Sequence, residues 1–301
     1  MYLNRIAVIG SSNTDMVIKT SKLPVPGETI LGGKFFMNPG GKGANQAVAA
    51  ARLGGKVTFI AKTGDDVFGK QALQIFEAEN INTDYLVTDM EHPSGVALIT
   101  VDAKGENCIV VAPGSNSYLT QQDIEKAREE LLRSDIVLLQ LEIPLDTVAY
   151  AANLAFDAGK KVILNPAPAA QVTDELLSKL YMITPNETEA ELISGIPVKD
   201  TESATLAAQN LFDRGVKVVI ITLGSKGALL YADGKAKLIP APKVDAIDTT
   251  AAGDVFNGAI AVGISENLEL EKAVEFACKA AAISVTRMGA QASAPYWKEI
   301  K

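Results

Sequence analysis

Six short, uninterrupted apolar runs recur along the chain: RIAVIG from Arg5, VTFIAKTG from Val57, DIVLLQ from Asp135, KVILNPAP from Lys161, YMITPN from Tyr181 and VKVVIITLGSKG from Val216. Runs without polar alternation predict strands covered on both faces. The amphipathic stretches between them, Ala44–Leu53, Val67–Asn80, Thr120–Ser134, Thr147–Ala158 and Thr201–Asp213, read as helices. Strand and helix in alternation predict an α/β fold, a three-layer sandwich around a mostly parallel central sheet. No internal repeat, low-complexity tract or linker divides the 301 residues, so one domain is expected.

Two regions break the rhythm. Met16–Thr20 with Thr29–Met37, and Val96–Val101 with Asn107–Val111, read as short strands joined by turns with no helix between, DAKGE forming the second hairpin loop. They are expected to form one small β lid made of about residues 14–38 and 96–111. The alternative is that they are edge strands of the main sheet.

Composition then removes whole classes of function. With 28 Lys and Arg against 36 Asp and Glu, the net charge of −8 excludes the broad basic face that holds a nucleic acid, though not a cleft for a small anion. Cys108 and Cys278 form no CxxC pair, so no disulfide framework or zinc ribbon is expected. His92, the only histidine, sits in EHPSG, a turn before a strand; histidine zinc sites and Ser-His-Asp hydrolysis have no other residue to use. No apolar run approaches a bilayer span and MYLNRIAVIG has no leader pattern, so a soluble cytoplasmic protein is expected.

Polar residues gather at a few places. Pro39 to Gln46, PGGKGANQ, is a glycine cluster opening into a helix, where free amides, Lys42 and Asn45 are available to a ligand. It is not a P-loop, because Lys42 is followed by glycine, and the dinucleotide pattern GxGxxG fails at Gln46. Asp248 to Ala259, DTTAAGDVFNGA, places Ala251, Ala252 and Gly253 at a helix start, an anion hole with Asp254 beside it. An aspartate in a first helical turn also has a purely electrostatic explanation. In PNETE, Asn186 and Glu189 read equally as a helix cap or as organisers of Mg²⁺ and phosphate. Asn13, Asp15 and Glu142 follow apolar runs, where open α/β sheets bind ligands, and their side chains suit paired hydroxyls.

Taken together, GGKGANQA and DTTAAGDVFNGA resemble the two signatures of the ribokinase-like carbohydrate kinases, in the right order and at about the right distance. VPGET, GENCIVVAPGSN, NETE, TLGSKG and RMGAQAS resemble further segments of that family, so the likeness runs from the first strand to about Trp297. It implies ATP-dependent phosphorylation of ribose at the 5-hydroxyl. By position, Asn13, Asp15, Gly41, Lys42, Asn45 and Glu142 would hold the sugar. Asn186, Thr222, Gly224, Ser225, Gly227 and Gly253 would contact the nucleotide, and Glu189 would help place Mg²⁺. Asp254 would be the catalytic base beside the amides of Ala251, Ala252 and Gly253. A monovalent cation, K⁺, would sit among Asp248, Thr250, Ser284, Arg287, Gly289 and Ser293. A homodimer through the lid is also implied. Two residues depart from the family pattern: Cys278 stands where a histidine often meets the adenine, and Val255 where a threonine commonly follows the aspartate. A sister kinase for another sugar or a nucleoside, and a sugar-binding regulator without catalysis, are the competing expectations; a dinucleotide oxidoreductase fails on the missing GxGxxG.

Overall fold

The computed structural model describes residues 5–300. In chain order the strands are β1 (Arg5–Ile9), β2 (Asn13–Lys19), β3 (Lys34–Gly40), β4 (Lys56–Gly64), β5 (Leu86–Asp89), β6 (Gly95–Val101), β7 (Asn107–Ala112), β8 (Ile136–Leu139), β9 (Lys161–Leu164), β10 (Met182–Ile183), β11 (Val218–Thr222), β12 (Ala228–Ala232) and β13 (Lys235–Ile239). The α-helices are α1 (Lys42–Arg52), α2 (Val67–Ala78), α3 (Gln121–Lys126), α4 (Arg128–Arg133), α5 (Leu145–Asp157), α6 (Asp174–Leu177), α7 (Glu187–Ser194), α8 (Thr201–Asp213), α9 (Ala252–Ser265) and α10 (Leu270–Ser284).

Nine strands form the main sheet in the order β13-β12-β11-β10-β9-β8-β1-β4-β5. The pairs from β5 across to β11 are parallel, and β12 turns antiparallel at the far edge. Strand alternation sends neighbouring side chains to two separate cores, as continuous apolar runs require. Ile6, Val8 and Phe59 pack with α1, α9 and α10 on one face. Ala7, Ile9 and Ile60 pack with α5 and α8 on the other. Each fully buried aliphatic side chain of this kind stabilises the fold by roughly 1.5–3 kcal/mol.

Parallel strands end at one edge, so the residues just after them share a rim. Gly10, Gln140, Asn165 and Thr184 directly follow β1, β8, β9 and β10, and Thr222 ends β11. α9 crosses behind that rim and is buried along nearly its whole length. It lies unusually close to α1 because Gly258 has no side chain: a Cβ there would fall 2.7 Å from Ala49 Cβ and 2.8 Å from the Gln46 carbonyl oxygen. One turn earlier on α9, this contact brings Asp254 against α1.

The second sheet has the order β3-β2-β6-β7, with two antiparallel hairpins joined by the parallel pair β2·β6. The two rhythm-breaking segments therefore form one separate sheet, and the edge-strand alternative does not hold. Two expectations about it need correction. Thr29–Gly33 is not strand: Gly32 (φ +99°) and Gly33 (φ +119°) take left-handed geometry that cannot continue a ladder, and β3 begins at Lys34. Asn13 and Asp15 lie within β2 instead of in a loop before it. Elsewhere the expected helix Thr120–Ser134 breaks into α3 and α4 at Ala127, which no residue type announces. Among the described residues, no helix is long and apolar enough to cross a membrane.

Candidate active site

Asp254 occupies the first turn of α9 and is 6% exposed. Asn45 Nδ2 donates to its Oδ2 over 2.9 Å and Gln46 Nε2 to its Oδ1 over 3.0 Å. Burial pushes its pKa up, while Lys42 and the two amide donors oppose that. The helix begins at Ala251, held in the left-handed region at φ 59°, a conformation worth of order 1–3 kcal/mol of strain for a residue with a side chain. Ala252 N–H turns back to the Thr249 carbonyl at 3.3 Å. Among the described residues, the N–H groups of Gly253 and Asp254 have no protein acceptor and remain for an anion. A Cβ at Gly253 would meet nothing within 4 Å. Its missing side chain therefore keeps space open for a ligand and serves no packing need.

These groups meet at a cavity of about 210 Å³, which Lys42, Asn186, Glu189, Thr222, Gly253 and Asp254 help to line. Ala251 and Ala252 line it as well, together with Asn165, Ala167, Thr184, Thr249 and Asn257, which the sequence did not single out. A larger cavity, about 390 Å³, lies between the small sheet, α2 and Gln291; Asn13 lines this one, and among the described residues no titratable side chain does.

Lys42 is the cation of the site. Burial pushes its ammonium pKa down, but the carboxylates of Asp254, Glu142, Glu189 and Asp15 outweigh this and hold it above the usual lysine range. Its backbone N–H donates to Glu142 Oε2 at 3.0 Å, and Ser11 Oγ donates to the same oxygen at 2.5 Å. The loop after β8 is thereby tied to the start of α1. The chain turns into α1 at Gly41 (φ +88°), where a Cβ would fall 2.7 Å from the Asn13 nitrogen; only glycine passes so close to β2. Asn13 and Asp15, two residues apart, share a face of β2. Asn13 Oδ1 accepts from Asn116 Nδ2 at 2.8 Å. Asp15 is pushed up to about 6 by burial, with Glu142 and Asp254 adding to the shift and Lys42 opposing it.

Asn186 and Glu189 form a reciprocal capping box at the start of α7: Glu189 N–H donates to Asn186 Oδ1 at 2.8 Å and Asn186 N–H to Glu189 Oε2 at 2.9 Å. Capping engages one Glu189 oxygen, and the same two side chains still line the cavity. Burial raises the Glu189 pKa. Thr222 reaches the cavity, whereas Gly224, Ser225 and Gly227, in the turn after β11, lie outside its lining. Cys278 is buried in α10 among the first core, its thiol pushed up to about 11 by burial.

The expected cation ligands lie on two segments, 248–250 and 284–293, that are tied together through Asp248. Asp248 accepts Thr250 N–H at its Oδ1 and Gly289 N–H at its Oδ2, both at 2.9 Å. Burial pushes the Asp248 pKa up, but these donors outweigh it and hold the carboxyl below its usual range. Ser284 ends α10 and Ser293 follows Gly289; their hydroxyls donate to the carbonyls of Ala281 and Ala290, leaving the oxygens free to accept. The Arg287 side chain turns away to pair with Glu299.

A comparison with known families places the chain. The pattern of the pfkB family carbohydrate kinases matches residues 3–297. The chain belongs to this family of carbohydrate kinases. A ribokinase from Haemophilus influenzae is 46% identical over 294 residues, covering 98% of this chain and 96% of its own. A deoxyribokinase from Salmonella typhi is 40% identical over 291 residues, covering 96% and 95% respectively. The structure of Arabidopsis thaliana ribokinase complexed with ribose and ATP matches at 32% identity with a TM-score of 0.91, covering 100% of this chain and 98% of that one.

Proposed function

We propose that this carbohydrate kinase transfers the γ-phosphoryl group of ATP to the 5-hydroxyl of D-ribose, giving ribose 5-phosphate and ADP. The observation that carries the reading is the meeting, at one cavity, of a buried carboxylate, a half-buried ammonium and two free helix-start amides. Phosphoryl transfer needs positioning and charge neutralisation more than covalent chemistry. The full-length likeness to a ribokinase from Haemophilus influenzae and to one holding ribose and ATP supports the choice of substrates.

In this reading Asp254 takes the proton of the sugar hydroxyl as that oxygen bonds to phosphorus and ADP leaves. Gly253 and Asp254 N–H groups and the Lys42 ammonium receive the phosphate charge. Asn13, Asp15, Gly41, Lys42, Asn45 and Glu142 hold the sugar. Asn186, Thr222, Gly224, Ser225, Gly227 and Gly253 border the nucleotide, with Cys278 behind its base. The second Glu189 oxygen is free to accept from water around Mg²⁺. Asp248, Thr250, Ser284, Arg287, Gly289 and Ser293 offer only oxygen donors, backbone carbonyls included, a set that fits K⁺. When bound, Mg²⁺ and K⁺ would supply positive charge at the phosphates and beside the anion hole. The small sheet acts as a lid that excludes water. Its outer face carries exposed Ile18, Phe35, Leu98 and Val110, and pairing with a second copy would cover them. The unpaired thiols Cys108 and Cys278 suit a reducing cytoplasm.

The test is ADP release from MgATP over ribose, 2-deoxyribose, fructose and nucleosides, with K⁺ or a large organic cation. Ribose should give the highest kcat/KM and K⁺ the higher rate. A clearly higher value for 2-deoxyribose would move the assignment to the activity of the Salmonella typhi relative.

A further inference from the structure

We propose that Gln46, braced by Gln140, is the positioning residue that holds Asp254 in its reactive rotamer and favours its ionised form. The proposal rests on the reading of Asp254 as the base. Gln46 and Gln140 are both fully buried. Neither was assigned a role by the sequence, and neither lines the cavity.

The orientation of the Gln46 amide is fixed by Asn165 without reference to Asp254, and Gln140 is placed to match it. Asn165 Nδ2 donates to the Thr184 carbonyl at 3.2 Å, so Asn165 presents its Oδ1 to Gln46 as an acceptor. With that orientation set, the Gln46 oxygen faces Gln140, whose Nε2 donates to it at 2.6 Å. The Gln46 NH₂ group is thereby turned outward. One N–H meets Asn165 Oδ1 at 3.0 Å and the other meets Asp254 Oδ1 at 3.0 Å. A flipped amide would set its oxygen against two acceptor oxygens, those of Asn165 and Asp254. Gly10 makes the brace possible, since a Cβ there would fall 2.0 Å from Gln140 Oε1.

With Asn45 on Oδ2 and Gln46 on Oδ1, each carboxylate oxygen holds one donor and keeps lone-pair capacity for a sugar hydroxyl. Protonating Asp254 would weaken its oxygens as acceptors for the two donors they already hold. Among the charged groups around it, Lys42 at the start of α1 favours the carboxylate, while Asp15 on β2, Glu142 after β8 and Glu189 on α7 oppose it. The Gln46 dipole supports the charge from within the protein, where no ligand displaces it.

The experiment replaces Gln46 by Met, which keeps length and removes both amide roles, and separately replaces Gln140 by Met, which leaves every contact to Asp254 in place. Two readouts are taken: the Asp254 titration midpoint from carboxyl ¹³C shifts, assigned against Asp254→Asn, and the pH profile of kcat. Hydrogen bonds to charged groups lead us to expect in Gln46→Met a kcat lowered about 10–100-fold and both midpoint and acid limb moved up by about one pH unit or more. Ribose KM should stay within about three-fold. Gln140→Met should move the same quantities in the same direction by less. A folded Gln46→Met with unchanged midpoint and acid limb overturns the proposal. Should that variant not fold, a shift in Gln140→Met supports it and no shift overturns it. Absence of kinase activity in the wild type would sink the functional reading alone, because the ¹³C midpoint needs no turnover.

Discussion

Val8 in the nine-stranded sheet and Leu98 in the four-stranded sheet are both aliphatic strand residues, yet the first is fully buried and the second is 56% exposed. The large sheet has helices on both faces, so each strand position is fixed by packing to either side. The small sheet has no helical layer of its own. Its β7 is exposed at every residue, and its partners are other strands of the same sheet. The site draws on both regions: Asp254, Lys42, Asn45 and Glu142 hang from the packed body, while Asn13 and Asp15 stand on the sheet that packing constrains least. The difference teaches that Asp254 is held where packing is two-sided, and Asn13 and Asp15 where it is not.

The sharpest way to break that comparison is Asp254→Asn. Loss of a general base typically lowers rate ~10²–10⁴-fold, and calorimetric binding of ribose and nucleotide should stay near normal. Removing the buried charge favours stability while the new NH₂ group meets the Asn45 or Gln46 donor, so the thermal midpoint should change little. A kcat within a few-fold of wild type would remove Asp254 as base. Gly258→Val tests the rigidity of the body: forcing a side chain to within 2.7 Å of Ala49 should cost about 1–3 kcal/mol in urea unfolding and lower kcat by separating α9 from α1. Unchanged stability would mean that the close crossing is incidental.

Asp15→Asn tests the interface of the two regions. The Asp15 pKa rises in the fold from 3.8 to about 6, so the folded protein binds this proton more tightly than the unfolded chain. The resulting stability is present at low pH and lost as pH rises through about 6. At pH 8 the Asn variant should therefore be more stable than wild type, by on the order of 1–3 kcal/mol, with the gap closing toward pH 4. A pH-independent difference would contradict the burial of that carboxylate. The smallest expected effect is Leu98→Asp on the exposed face: unfolding stability should move by less than about 0.5 kcal/mol, while the dimer proposed for the wild type should be lost in sedimentation. An unchanged sedimentation profile would exclude this face as the contact.

The body was legible because it obeys a period. Continuous apolar runs at β1, β4, β8, β9 and β11 have no reading except two-sided burial, and glycine clusters mark where α1 and α9 start. Gln140, Asn165 and Thr184 were legible in principle: each directly follows an apolar run, the rule that selected Glu142. Their partnership was not, because the contact from Gln46 to Asp254 spans 208 positions and depends on the helix crossing at Gly258. Asn186 illustrates the opposite case, since capping and cavity lining are both true of it and neither excludes the other. The small sheet was read as strands, but its edges slipped, because Gly32 and Gly33 carry their effect in backbone angles that composition does not display. His92, placed by the sequence in a turn before a strand, stacks on Tyr118 with ring centroids 3.5 Å apart, a pairing across 26 positions that no local pattern signals.

Asn13, Gly40, Gly95 and Ala112 lie at one end of the four small strands, and from that row the chain crosses to the body at residues 10–12, 41, 90–94 and 113. Asn116 clasps the first and last crossings together, accepting from Ser12 N–H and donating to the Pro113 carbonyl. Asp66, the cap of α2, grips the third through the Ser94 N–H and hydroxyl. Four struts set side by side resist twisting and sideways sliding of the sheet they carry, and they yield most easily to flapping about the line on which they stand. Rotation about that pivot swings Asp15, just beyond the line, through a short arc and the far turn at residues 102–106 through a long one. The sheet can therefore open widely at its tip while the Asp15 carboxylate barely moves.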